Sequence, residues 1–225
     1  EWMHGDETVV TLILTVFSVG IALGSMLCEK LSGRKVEIGL VPFGSFGLTV
    51  FGLLLWWHSG GIPDSVEGHG WLEILGFGHT WLVLIDILGL GIFGGFYIVP
   101  LYALIQSRTP ENERARVIAA NNILNALFMV VSAIVSIVLL SLVKLSIPQL
   151  FLVVSLLNIG VNAYIFKIVP EFTMRFMIWL LSHSMYRVEH RNLQAIPDEG
   201  AALLVCNHVS FVDALLIGGA VRRPI

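Results

Sequence analysis

Along the first three quarters of the chain, apolar positions come in long unbroken runs rather than alternating with polar ones. Thr8–Cys28 carries no charged residue over 21 positions, Ile38–Trp57 none over 20, Val117–Val143 none over 27 and Leu145–Phe166 none over 22; Thr80–Gln106 holds one, Asp86. A helix needs roughly 20 apolar residues to cross the hydrocarbon core of a bilayer. Only a helix or a closed barrel satisfies every backbone N–H and C=O there. The runs therefore predict five transmembrane helices, at about 8–28, 37–57, 80–106, 115–143 and 145–168, and a membrane part over residues 1–169. The fold class expected is a mainly α polytopic membrane protein.

The pattern changes at Pro170. Glu171–Tyr186 reads as a shorter apolar helix with Phe172, Phe176, Trp179 and Leu180 roughly on one face, interrupted by Arg175 and His183. Its length suits the membrane interface better than a span, although a core helix of a following domain has the same pattern. Arg187–Gly200 is polar and contains Pro197 and Gly200, as a short strand and turn would. Ala201–Cys206 is a short apolar run in which Leu203, Leu204 and Val205 suit a buried strand. Residues 170–225 are thus expected to begin an α/β domain that is not complete within this chain.

Composition sharpens this picture. The chain of 225 residues is 56% hydrophobic and 13% charged, with mean hydropathy +0.85, against roughly 25% charged in soluble domains. A net charge of −3 gives no basic patch and no expectation of a nucleic-acid partner. The loops differ in sign: Glu29–Glu37 holds Lys30, Arg34 and Lys35, and Ser107–Arg116 holds Arg108, Arg114 and Arg116, whereas His58–His79 holds Asp64, Glu67 and Glu73 but no Lys or Arg. By the positive-inside rule the basic loops are cytoplasmic and the fifth helix delivers the chain to the cytoplasm. Cys28 and Cys206 lie in apolar segments and read as small buried hydrophobes rather than a disulfide. No metal-ligand spacing is present. Beginning at Glu1 without a signal peptide, the chain reads as a piece cut at both ends.

Within the spans, Gly20 and Gly24, and Gly91 and Gly95, form GxxxG pairs that let helices approach closely. Gly89, Gly91 and Gly94 spell G-x-G-x-x-G, but no strand precedes them, so helix packing rather than a dinucleotide is expected. Asp86 is a candidate for transport or ion coupling, since a carboxylate in a membrane helix is costly unless it faces protein or water; a place near the interface is the alternative. Asn121, Asn122, Asn125, Asn158 and Asn162 suit either a headgroup path or hydrogen bonds between helices.

The polar cluster after the last apolar run is Asn207-His208-Val209-Ser210-Phe211-Val212-Asp213. Its His can act as a general base toward a hydroxyl, and its Asp can orient the ring and stabilise its charged form. Asn207 and Ser210 are candidates for substrate binding or for support of the pair by shaping the turn after the strand. The string N-H-x-S-x-x-D, with Tyr186-Arg187-Val188-Glu189, Ile196-Pro197 and Gly200-Ala201-Ala202-Leu203-Leu204 before it, resembles the first motif of the glycerolipid acyltransferases. That resemblance implies that His208 deprotonates a lysolipid or glycerol-phosphate hydroxyl, with Asp213 as its partner, for attack on an acyl thioester of coenzyme A or acyl-carrier protein, with no cofactor bound. The family's later blocks, an acceptor-phosphate Arg and Glu-Gly-Thr-Arg, are not in this sequence, so residues 1–225 by themselves are expected to be inactive.

Gly20-Ile21-Ala22-Leu23-Gly24 with Glu29-Lys30-Leu31-Ser32-Gly33-Arg34-Lys35, and Arg108–Arg116, resemble the short cytoplasmic loops of the major facilitator superfamily, offset by about one residue and with Glu29 and Lys30 for the commoner Asp and Arg. The five helices would then be helices eight to twelve. A facilitator half followed by an acyltransferase resembles a bacterial lysophospholipid transporter fused to a lysophospholipid acyltransferase. This implies lysophospholipid flipping across the inner membrane and its re-acylation on the cytoplasmic side, with membrane lipid, lysophospholipid and acyl-carrier protein as partners. The alternatives are a transporter with a non-catalytic tail and a membrane-anchored acyltransferase.

Overall fold

A computed structural model of the chain describes residues 6–31, 39–60 and 70–168, and the single residues 174, 178, 203, 205, 207, 213, 216 and 217. The chain divides into two compact units, Glu1–Tyr164 and Ile165–Ile225. The helices are α1 (Glu7–Leu31), α2 (Leu40–Ser59), α3 (Trp71–Ile74), α4 (Gly78–Arg108), α5 (Glu111–Ile137) and α6 (Ile147–Ile168), with a π-helical segment, Val138–Leu142, closing α5. Among the described residues, five helices are long and apolar enough to cross a membrane; the chain is a polytopic helical membrane protein. Each expected span is found, shifted at its ends by a few residues. One shift matters: His58, expected at the start of the second connecting loop, lies inside α2.

Local chemistry sets the ends. Asp6 caps α1, its carboxylate accepting from the amides of Thr8 at 2.8 Å and Val9 at 3.3 Å and from the Thr8 hydroxyl. Such a cap satisfies N–H groups that have no partner inside the helix. The Thr8 hydroxyl oxygen accepts in turn from the amide of Trp71 at 3.0 Å, which fixes the start of α3 against the start of α1. Between α5 and α6 the chain turns through Lys144, which takes a left-handed φ of 58°. Ser146 and Gln149 then bond reciprocally at the head of α6.

In lipid the helices gain little from hiding apolar surface, so close contact and hydrogen bonds hold them together. The two expected GxxxG pairs meet each other. A Cβ placed on Gly91 would lie 2.5 Å from the carbonyl oxygen of Phe17 and 2.9 Å from the Cα of Gly20, and one on Gly95 would lie 2.9 Å from the backbone of Gly24. The register, 20 with 91 and 24 with 95, makes α1 and α4 parallel. On its other side α4 packs antiparallel against α2, where Gly44 meets the backbone of Phe96 and Tyr97 and Gly89 meets the ring of Phe51. At the end that carries α3, Val9, Leu55, Ile74, Val83 and Ile87 form a buried cluster that closes the bundle. In α5, by contrast, no residue is buried.

In the second unit, Met174, Ile178, Asp213, Leu216 and Ile217 are helical. The expected buried strand over Ala201–Cys206 is not borne out where it is described. Leu203 and Val205 are outside any regular element and 89% and 85% exposed. A strand is held by a ladder with a neighbour, and no described residue is in a strand.

Candidate functional site

Burial selects the first candidate. Asp86 is 2% exposed although it sits in a membrane helix. Its Oδ2 lies 2.6 Å from Nδ1 of His58, near the end of α2. The antiparallel packing of α2 on α4 creates this pair from residues 28 positions apart. A carboxylate inside a span needs such a partner, because water is absent and its isolated charge costs several kcal/mol. His58 covers the carboxylate and is itself a fifth exposed in its side chain. The ring of His79, exposed in the first turn of α4, meets the His58 ring edge to face with centroids 6.5 Å apart. His58 and His79 were not singled out in the sequence. An intramembrane Asp is itself the signal for a partner, and a His at the end of a neighbouring span is a natural one.

A second polar contact joins α6 to α2 within the first unit. Nδ2 of Asn158 donates to the carbonyl of Ser45 and the hydroxyl of Thr49, both at 2.9 Å. Nδ2 of Asn162 donates to the same two acceptors at 3.3 and 2.7 Å. Of the two roles open to these asparagines, the hydrogen bond between helices is the one observed. Gly52, one turn further, meets the side chain of Ser155, so small residues bring the helices close enough for these bonds.

The other candidates fall elsewhere. Nδ2 of Asn125 donates to the hydroxyl of Tyr102 at 3.0 Å, an exposed tie between α5 and the far half of α4. Asn121 and Asn122 lie one turn before it on α5, and the partner of Asp86 is His58 instead. The structure does not bring Asp86, Asn121 and Asn125 together. Asn207 is exposed and outside regular structure, and Asp213 is helical and half-buried. His208 and Ser210 lie outside the described residues, so the catalytic pairing of His208 with Asp213 has no described geometry. Gly89, Gly91 and Gly94 are all inside α4, where Gly89 and Gly91 meet neighbouring helices and Gly94 is open. Cys28 is a buried free thiol in α1.

Parallel and antiparallel spans locked by glycines, with an ionisable pair buried between two of them, define a packed helical membrane bundle. The sequence profile of the Major Facilitator Superfamily matches residues 3–176, well over half of the chain, and the chain belongs to that superfamily. No curated protein and no solved structure matches it. The facilitator resemblance carried by Gly20–Lys35 and Arg108–Arg116 is thus borne out at the level of the superfamily.

Proposed function

We propose that this transporter moves a lysophospholipid across the bacterial inner membrane and that residues 170–225 begin an acyltransferase which re-acylates it on the cytoplasmic side. The transporter class rests on superfamily membership. The lipid substrate and the enzyme rest on one observation, the string Asn207-His208-Val209-Ser210-Phe211-Val212-Asp213 in the same chain as facilitator helices. In this reaction His208 takes the proton of the lysolipid hydroxyl, and the oxygen attacks the carbonyl of an acyl thioester of coenzyme A or acyl-carrier protein. The thiolate leaves and is protonated as the new ester forms. The charge asymmetry of the loops supports a cytoplasmic side for this chemistry, where acyl thioesters are made.

The exposure of Leu203 and Val205 favours a second reading, a transporter whose tail has no catalytic role. One assay separates the two. The protein, expressed from its complete reading frame, is reconstituted in vesicles with a labelled lysophospholipid and an acyl thioester. His208→Ala is expected to lower acyl transfer roughly 10²–10⁴-fold, the usual contribution of a positioned base, while lysolipid flipping persists. Near wild-type acyl transfer by His208→Ala removes His208 as the catalytic base, and no acyl transfer by the wild type favours the second reading.

A further inference from the structure

We propose that His58 conducts protons to and from Asp86, so that lipid movement by this transporter is linked to proton movement. The inference rests on the transport reading above and adds its coupling ion. Among the described residues, two of the polar contacts that tie helices together are at least half-buried, and their chemistry differs. α6 is held to α2 by neutral amides on neutral oxygens, which is all that a structural tie requires. α2 is held to α4 by two groups that both exchange protons. Burying a carboxylate where an amide would serve is costly, and that cost has a use if the carboxylate must change charge.

The geometry orders the groups by access. His79 is exposed, the His58 side chain is 20% exposed, and the Asp86 side chain is 3% exposed. No hydrogen bond joins the two imidazoles, whose rings stand edge to face, so a proton reaches His58 from solvent, with His79 as the neighbouring acceptor. Uptake at Nε2 gives the imidazolium. The Nδ1 proton then crosses the 2.6 Å hydrogen bond to Oδ2. What remains is a neutral imidazole in its other tautomer and a neutral carboxyl group. One proton has been gained, and the buried negative charge has been removed. The reverse sequence returns it.

A metal cation fits poorly in its place. The carboxylate faces an imidazole nitrogen rather than a ring of oxygens, and among the described residues no group of three His, Cys, Asp or Glu is placed to hold a metal ion. Among the described residues, the other ionisable side chains at this end of the bundle are Asp6 and Glu7 on α1, Glu73 on α3, His79 on α4 and Lys144 in the α5–α6 turn, all exposed. The carboxylate of Asp6 is engaged in capping α1. Asp86 is therefore the buried charge that His58 serves.

Two measurements on the full protein test this, one of which needs no substrate. In pH-difference infrared spectra the wild type should gain a protonated-carboxyl band on acidification. That band should be absent in Asp86→Asn and have a displaced midpoint in His58→Asn. In vesicles loaded with a pH-sensitive dye, adding lysophospholipid outside should move protons together with the labelled lipid. His58→Asn, or His58→Gln should the first variant fail to fold, should lower that proton flux at least about tenfold while the thermal midpoint of the purified protein stays close to wild type. An infrared band unchanged by Asp86→Asn overturns the proposal whatever the substrate. Lipid movement in the wild type without proton movement also overturns it, and leaves the lipid-transport reading standing. A normal infrared result with no lysolipid movement overturns the substrate and keeps the proton pair.

Discussion

Asp6 shows how much one side chain at a helix end can set. Hydrogen bonds from Thr8, its hydroxyl foremost, hold the Asp6 carboxyl below its ordinary value. A depressed carboxyl adds stability above its unfolded value and loses it as pH falls through the folded value. Protection of the Thr8 and Val9 amides, measured by hydrogen exchange against the intrinsic rate, should therefore decline through the acid range where Asp6 takes up a proton. Asp6→Asn keeps an oxygen for the cap and should flatten that pH dependence, while Asp6→Ala should remove the protection at every pH. The Asp6 cap was not legible in the sequence, and Asp86 was legible as a candidate but not as half of a pair. Asp86 stands out in the sequence as the single charge in a long apolar run. Nothing near it in sequence names His58, because only the antiparallel packing of α2 on α4 closes that gap.

Among the elements, glycines three residues apart on one helix should behave oppositely. Gly91 faces α1 with no room for a methyl group, whereas a Cβ on Gly94 meets nothing within 4 Å. Gly91→Ala should destabilise by about 1–3 kcal/mol through overpacking. Gly94→Ala should be neutral or stabilise by up to about 1 kcal/mol through helix propensity. Thermal unfolding in detergent distinguishes them. The α2–α6 contact supports a further test. Because Asn158 and Asn162 donate to the same oxygens of Ser45 and Thr49, either one partly covers the loss of the other. Asn158→Leu or Asn162→Leu alone should cost on the order of 0.6 kcal/mol, and the double variant should cost more than the two singles combined. The five spans were legible because lipid leaves a backbone almost no choice but helix. The GxxxG contacts were legible because small residues one turn apart have few other uses in a membrane. α3 was not, since four residues, WLEI, carry too little periodicity to show a helix. The expected strand near Leu203 failed for a related reason: a run of apolar residues carries no information about whether a neighbouring strand is there to pair with it.

For the whole molecule, superfamily membership and the five spans make it a multi-pass membrane protein, and the charged loops predict its orientation. Lys30 and Arg108 end α1 and α4, and Arg114 and Arg116 stand near the start of α5. The α3 end holds Glu73 and the caps of α1, with Lys144 as its lone described basic residue. By the positive-inside rule the α3 end is expected to face outward. Single cysteines at Ser65 and Asn112, probed on intact cells with an impermeant thiol reagent in a Cys28→Ser, Cys206→Ser background, should give labelling at Ser65 and none at Asn112. The reverse pattern would invert the protein and put residues 170–225 on the wrong side for an acyl thioester.

The contrast between α4, closed in by glycines and a buried pair, and α5, with no buried residue, also determines how the protein can change over evolutionary time. Ile123, Leu127, Val131 and Ile134 on α5 are exposed, with no close backbone to exclude a change of shape, so they should drift freely among aliphatic residues. Positions such as Gly20, Gly91 and Gly95 answer to another backbone and admit almost nothing else. In a deep mutational scan scored on transport, the record of α5 should track the hydropathy of each replacement, and that of α4 its volume.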